Sequence, residues 1–277
     1  MSLDPRITLA RADLAALDLQ GLAPAAAYRA TTQCSCRRPA TAILKSPEAD
    51  AEQVDQLLLG EVFEVLETKD GFSWGRARRD GYVGYVAEDA LGPSIIPTHR
   101  VRALRTYAFA SASIKSRALG PFSLGALVRI ESEEGRFGRD AAGRFFVMDH
   151  LASIGRDFET APADVAEQFL GAPYLWGGRE SLGLDCSGLI LQAMLACGRA
   201  CPRDTDQQEA VFSEIPRAAL RRGDLVFWRG HVAMMVDADQ IIHANAHHMA
   251  VAIEPLDGAV ARIEAAGSGL PTSYRRP

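Results

Sequence analysis

The strongest constraint on this chain is a change of pattern near residue 156. From about residue 37 to 155, apolar residues fall in short runs separated by glycine-bearing turns, and no run keeps helical spacing. Short strands at that spacing close as small antiparallel barrels. Beyond 156 the pattern reads helix, helix, then four consecutive strands, which is segregated α+β and not alternating βαβ. The expected fold class is multidomain, with two small all-β barrels followed by an α+β domain.

Particular runs carry the upstream reading. Residues 57–66 alternate as a strand after an apolar start, Lys69-Asp70-Gly71 turns, and Trp74-Gly75-Arg76-Ala77 is a strand. Arg79-Asp80-Gly81 turns again, and Tyr82-Val83-Gly84-Tyr85-Val86 comes next. A weaker echo comes later in Ile114-Lys115-Ser116, residues 124–130, Gly135-Arg136-Phe137 and residues 143–147, with LLGEVFEVLE and LGALVRIESE about 65 residues apart. Such self-similarity predicts tandem barrels over 37–95 and 96–155, against a single larger β domain. Residues 1–36 carry Leu9, Leu14, Leu17, Leu19 and Leu22 at helical spacing, with Asp13 or Asp18 as caps. They are expected to form a helical lead-in that packs on the adjoining β segment.

At 277 residues the chain suits two or three domains. A net charge of −5 offers no broad attraction for nucleic acid or an anionic membrane. No stretch approaches the ~18 apolar residues of a membrane span. Asp4, Arg6, Arg11 and Asp13 stand where a secretory signal needs its apolar core. With Met1 as the natural start, the expectation is a cytoplasmic protein. Five cysteines, an odd and uneven set, do not resemble a disulfide framework. Cys34, Cys36, Cys197 and Cys201 match no usual zinc spacing and read as reduced thiols, so no metal is expected.

The fifth cysteine is placed differently. Asp185 is a good N-cap, so Cys186 opens a helix that runs to about Cys197 and ends at Gly198. Unpaired N–H groups and the helix dipole favour negative charge there, and a lowered thiol pKa is expected. Leu189, Ile190, Ala193 and Leu195 supply an apolar stripe, and small Ser187 and Gly188 leave room beside the sulfur. A small buried hydrophobe is the plainer explanation of a lone cysteine. A thiolate nucleophile, however, needs a proton carrier that works near neutral pH, and histidine is the natural one.

His231 heads the apolar strand 231–236, either as a strand-edge residue or as one that faces a site. His243 interrupts the next strand, 241–244. Both numbers are odd, so on antiparallel neighbours they share a face only when the connection around 237–240 has an odd number of residues. His243 would then stand behind His231 and orient its ring. His247 and His248 compete for that role from the following turn.

Six motifs taken in order resemble those of NlpC-type papain-like cell-wall cysteine peptidases, over residues 160–255. They are Tyr174-Leu175-Trp176-Gly177-Gly178, Asp185-Cys186-Ser187-Gly188, Pro202-Arg203-Asp204, Gly223-Asp224-Leu225-Val226-Phe227, His231-Val232 and Ile242-His243-Ala244. Upstream, residues 57–67, 71–86 and 114–130 resemble the paired bacterial SH3-like domains of γ-D-glutamyl-L-diamino acid endopeptidases. The resemblance implies two SH3-like barrels ahead of a papain-like domain at 156–277. It also implies release of L-Ala-γ-D-Glu from murein peptides whose N-terminal amine is free.

The roles it implies are specific. Cys186 is the nucleophile, His231 the general base and then acid, and His243 the partner that orients it. Tyr174 and the Cys186 backbone N–H stabilise the oxyanion, donors typically worth ~3 kcal/mol each. Trp176 walls the pocket, while Asp185, Ser187, Asp204 and Thr205 hold the dipeptide, with Asp204 on the α-ammonium. Glu61 and Tyr82 close the amine end from the first barrel, with Tyr85 as the alternative to Tyr82. Tyr174 and Trp176 also have readings as core aromatics, and Asp204 as a cap before Gln207-Gln208-Glu209. The partner implied is the murein peptide substrate, with no cofactor, nucleic acid, membrane or obligate protein partner. Two other readings use the same residues: a cell-wall-binding protein with an inactive peptidase domain, and an amidase or acyltransferase with the same Cys–His site.

Overall fold

Strand alternation governs the first part of the molecule. The computed structural model describes residues 3–277, which divide into one unit ending at Arg156 and another running Asp157–Pro277. The first sheet has seven antiparallel strands in the order Gln53–Leu58, Ala40–Leu44, Val83–Ala87, Phe72–Ala77, Val62–Lys69, Thr32–Cys36 and Leu91–Pro93. Their inward residues, among them Ile43, Leu57, Phe63, Val65 and Val86, close over one core.

A second set of strands repeats the plan. Ile130–Glu134 pairs with Phe137–Asp140 as Val62–Lys69 pairs with Phe72–Ala77, and Phe145–Val147 comes next as Val83–Ala87 does. A short 3-10 turn, Glu88–Ala90 or Met148–His150, then leads each set into a closing strand. Leu58 and Leu59 of the first set pack with Val101, Phe122 and Phe146 of the second. Gly60 makes this approach feasible. Its φ is +76°, and a Cβ there would lie 2.2 Å from the Leu127 carbonyl oxygen, so no side chain fits.

The lead-in departs from expectation. Leu14–Ala16 is a strand paired in parallel with Ala27–Arg29, and Leu17–Leu19 is a 3-10 turn, with no α-helix between residues 9 and 22. Leu9 and Leu14 pack on Leu66 and Trp74 while Leu17 and Leu22 are exposed, so the leucines do not share a face. Asp13 bonds Arg11 and Asp18 bonds Arg76, and neither caps the turn. Thr32–Cys36 belongs to the seven-stranded sheet, which therefore begins before residue 37.

The second unit is built on six antiparallel strands, in the order Ser213–Ile215, Ser273–Arg276, Leu225–Trp228, His231–Met235, Gln240–Asn245 and Ala250–Pro255. Four helices accompany them: α1 (Pro162–Gln168), α2 (Cys186–Ala196), α3 (Thr205–Val211) and α4 (Leu256–Ala265). Leu256, Ala259 and Ile263 of α4 cover Val226, Trp228, Ala233, Met235 and Ile241 of the sheet. Helix α2 packs on α1 and on strands His231–Met235 and Gln240–Asn245. Ten of its eleven residues are buried, so it is a core helix on all sides instead of a helix with one apolar stripe. Leu195, read as part of that stripe, is the exception. Among the described residues no helix is long and apolar enough to cross a membrane. All five cysteines are free thiols.

Candidate active site

Asp185 builds the first half of the site. Its Oδ1 accepts from the Gly188 backbone N–H at 2.7 Å, so it caps α2 and makes Cys186 the first helical residue. Its Oδ2 accepts from the Gly177 N–H at 2.9 Å, tying the Tyr174–Gly178 loop to the same turn. The Arg203 guanidinium grips both oxygens, at 3.0 and 2.7 Å, and donates to Ser187 Oγ at 2.8 Å. Arg203 is 1% exposed, and this fork answers its charge. Gly188 does not leave room for a substrate, as its size alone suggested. A Cβ there would lie 2.2 Å from the Gly178 carbonyl, so glycine lets the loop lie against the helix. Ser187 is likewise engaged, donating to Asp185 Oδ1 at 3.2 Å while it accepts from Arg203.

The histidines build the second half. The pair Met235↔Ile241 leaves five residues, 236–240, in the connection, the odd number that a shared face requires. His231 Nε2 and His243 Nδ1 are hydrogen-bonded at 2.8 Å, and His243 Nε2 is bonded to Glu254 Oε1 at 2.8 Å. Arg262 of α4 pairs with that same carboxylate oxygen. With Nε2 committed to His243, Nδ1 is the nitrogen of His231 left for the thiol. The backbone N–H of Val232, next to His231, acts on the Cys186 thiol and favours its ionised form. The Trp228 ring lies against His231, centroids 5.7 Å apart, and shields it.

Burial sets the protonation states. It pushes the Cys186 thiol up to about 12, the Asp185 carboxylate adding to the effect and the Val232 and Ser187 N–H groups with Arg203 opposing it. The lowered thiol pKa expected of a helix N-terminus is therefore overridden. Burial, with His243 and Arg262, pushes His231 down to about 3, and burial pushes His243 down to about 4 against the pull of Glu254. Burial acts to raise the Glu254 carboxyl, but hydrogen bonds from Arg262 and His243 hold it below its usual range. At rest the site holds a neutral thiol beside neutral imidazoles and an ionised Glu254.

Tyr174 stands twelve residues before Cys186 and is half-buried. Burial and the neighbouring Cys186 and Asp185 push its phenol up to about 12, so it remains a hydrogen-bond donor at neutral pH. Trp176 is 59% exposed, which removes core packing as its explanation. Asp204 caps α3 in a capping box with Gln207, and Thr205 is the first residue of that helix. Glu61, in the first unit, is buried and accepts from the Leu58 N–H and from Arg79, each at 2.8 Å. Tyr82 is buried and Tyr85 stacks on Trp74. His247 and His248 are exposed, and His248 bonds Asn245. Ligand atoms of His243, His248 and Glu254 lie within 4.8 Å of one another, a group able to hold a metal. Arg262 already neutralises the carboxylate and both His243 nitrogens are bonded, so the cluster is satisfied without an ion.

Residues 171–265 match the NlpC/P60 family, and residues 43–91 match the bacterial dipeptidyl-peptidase SH3 domain. The chain carries an NlpC/P60 domain behind a bacterial SH3 domain. It is 29% identical over 213 residues to the gamma-D-glutamyl-L-lysine dipeptidyl-peptidase of Bacillus subtilis strain 168, covering 68% of this chain and 71% of that one. It is 35% identical over 101 residues to dipeptidyl-peptidase 6 of Lysinibacillus sphaericus, covering 36% and 37%. It thus spans little more than a third of that second relative. An NlpC/P60 family protein from Bacillus cereus ATCC 10987 shares the fold, with a TM-score of 0.75 at 20% identity over 88% of this chain and 99% of that one.

Within the NlpC/P60 domain, sequence reasoning missed Arg203 as the clamp of the Cys186 turn and Glu254 with Arg262 behind His243. Glu254 lies on the strand that follows the one carrying His243, Ala250–Pro255. The signal was present: His243 pairs with Ala252, so Glu254, two residues on, shares its face.

Proposed function

We propose that this chain is a cysteine endopeptidase that hydrolyses the γ-D-Glu–diamino acid bond of murein stem peptides with a free N-terminal L-Ala, releasing L-Ala-γ-D-Glu. The observation that carries the reading is the hydrogen-bonded series from Glu254 through His243 to His231, the neighbour in sequence of Val232, whose backbone N–H acts on the Cys186 thiol. The dipeptidyl-peptidase relative supports the substrate class. The finer architecture proposed with it is two SH3-like barrels and a papain-like catalytic domain.

The resting state dictates the chemistry. His231 Nδ1 takes the Cys186 proton as the sulfur bonds to the γ-carbonyl carbon, so attack and proton transfer are coupled and no standing ion pair is required. The oxyanion is held by the Cys186 backbone N–H and the Tyr174 hydroxyl. His231 then gives its proton to the leaving amine of the diamino acid as the C–N bond breaks. Water, deprotonated by His231, cleaves the thioester and restores the thiol. Trp176 walls the pocket, while Asp185, Ser187 and Thr205 shape the dipeptide subsite. Asp204 receives the α-ammonium from the position the resemblance gives it. Glu61 and Tyr82 carry over from the resemblance alone. A free amine as the recognised group fits recycling of detached stems, the work of a cytoplasmic enzyme.

The test is mass spectrometry of products from L-Ala-γ-D-Glu-diaminopimelate and from its N-acetylated form. Acetylation removes the charge that Asp204 would pair with, and the acetylated peptide is expected to lose one to two orders of magnitude in kcat/KM, about 1.4 kcal/mol per tenfold. Asp204→Ala, Glu61→Gln and Tyr82→Phe are expected to narrow that gap. Equal rates on the two peptides would overturn the free-amine reading, and transfer of the acyl group to an added amine would favour the acyltransferase reading.

A further inference from the structure

We propose that Glu254 is a positioning residue that fixes the tautomers of both histidines, so that the nitrogen of His231 facing the thiol is always the bare one. The inference rests on the reading of Cys186 and His231 as nucleophile and base, and it deepens that reading. An ionised carboxylate can only accept a hydrogen bond, so Glu254 Oε1 at 2.8 Å requires the proton of His243 to sit on Nε2. His243 Nδ1 is then a lone pair, and the 2.8 Å contact requires His231 Nε2 to donate to it. A neutral His231 with its proton on Nε2 presents bare Nδ1 to Cys186, and only that tautomer can accept the thiol proton. The reverse order, with His243 Nδ1 protonated, would put a proton on His231 Nδ1 and leave Cys186 facing a donor.

The geometry makes Glu254 the source of this ordering. The charged and titratable groups acting on His243 are His231 from its neighbouring strand, Glu254 across the hairpin, Arg262 from α4 and His248 from the turn. Only Glu254 among them is an obligate acceptor. Arg262 pairs with the same oxygen and keeps the carboxylate ionised and aimed. During catalysis the imidazolium formed on His231 has both protons, and the same series then holds its positive charge toward an anion two bonds away.

The experiment compares Glu254→Ala, Glu254→Gln and Arg262→Ala with wild type in three readouts. Histidine tautomers are read by 15N NMR of histidine-labelled protein. Alkylation of Cys186 by iodoacetamide, located by mass spectrometry, reads the base without any peptide. Hydrolysis of L-Ala-γ-D-Glu-diaminopimelate gives kcat and KM. In wild type, His243 is expected to be protonated on Nε2 and His231 on Nε2. Glu254→Ala is expected to mix the tautomers and lower both alkylation and kcat about 10- to 100-fold, with KM little changed. Glu254→Gln, whose amide oxygen still accepts, is expected to recover most of that loss. Arg262→Ala should fall between, and with the Gln variant it decides the matter if Glu254→Ala does not fold. Unchanged tautomers in Glu254→Ala and Arg262→Ala, or tautomers mixed as fully in Glu254→Gln as in Glu254→Ala, overturn the proposal, whether or not rates fall. If wild type alkylates normally and leaves the peptide intact, the substrate reading fails, while the NMR and alkylation arms still decide the role of Glu254.

Discussion

Helices α2 and α3 both start after an aspartate, Asp185 and Asp204, yet the two termini differ in what surrounds the cap. Asp185 is buried, holds two backbone N–H groups at separate places in the chain and is gripped by a buried arginine. Asp204 sits half-buried in a local capping box with Gln207. Two consecutive residues, Arg203 and Asp204, serve the two termini in turn. The sequence motif for an N-terminus is the same in both, so the cap alone does not make a reactive helix end. The layers packed behind it do.

The largest difference should appear at the first helical residue. Cys186→Ala is expected to cut kcat by about 10⁴-fold or more, and Thr205→Ala by no more than about tenfold, in the same peptide assay. Retained turnover in Cys186→Ala, or inactivating alkylation that maps to Cys197 or Cys201, would break the comparison. The caps come next. Asp185→Ala strands the Arg203 charge in the core and is expected to cost ~3–5 kcal/mol in urea unfolding, against ~1 kcal/mol for Asp204→Ala. Equal costs would mean that the arginine relaxes to solvent.

Acid probes the layer behind α2. His243 is 0% exposed and its pKa falls from an ordinary 6.5 to about 4 on folding. The unfolded chain then binds more protons below pH 6.5, so stability is complete above that value and declines as pH falls toward 4. At ~1.4 kcal/mol per unit, His243 alone accounts for about 3 kcal/mol lost by pH 4. His231 and Glu254 act in the same direction, His231 from 6.5 downward and Glu254 from the ordinary carboxylate range downward. A His243→Asn variant with the same pH dependence as wild type would assign the loss elsewhere. The smallest contrast lies at the third helical residue. Gly188→Ala drives a methyl into the Gly178 carbonyl and should cost ~1–3 kcal/mol, while Gln207→Ala, which removes half a capping box, should cost ~0.5–1 kcal/mol. Thermal unfolding of the two variants distinguishes them.

What the sequence revealed and what it concealed divide along physical lines. Local signals were readable: Asp185 as a cap, the helix that it starts, and the strands carrying His231 and His243. Their hydrogen bond was a conditional inference, because face-sharing depends on a turn length that residue identities do not state. Arg203 and Glu254 were missed for a different reason. Each acts across 18 and 11 residues respectively, through pairings that exist only once the chain has folded. The leucines at 9–22 mimicked helical spacing because contacts with Leu66 and Trp74, far along the chain, decide which of them are buried. The thiol's pKa was misjudged from the helix terminus because burial outweighs a dipole in that turn.

The five-residue turn at 236–240 has an implication for how such a domain can vary. If one residue were added there and the pairing slipped by one, every side chain of the site would be preserved in the gene and His243 would still turn to the opposite face, into the place of Ile242. Adding two would restore it. Drift in the length of this turn is therefore tolerated in even steps, or when the turn itself or a bulge absorbs the odd residue. A chain with every catalytic letter intact but an odd change in this turn can be silent for reasons that no substitution would reveal.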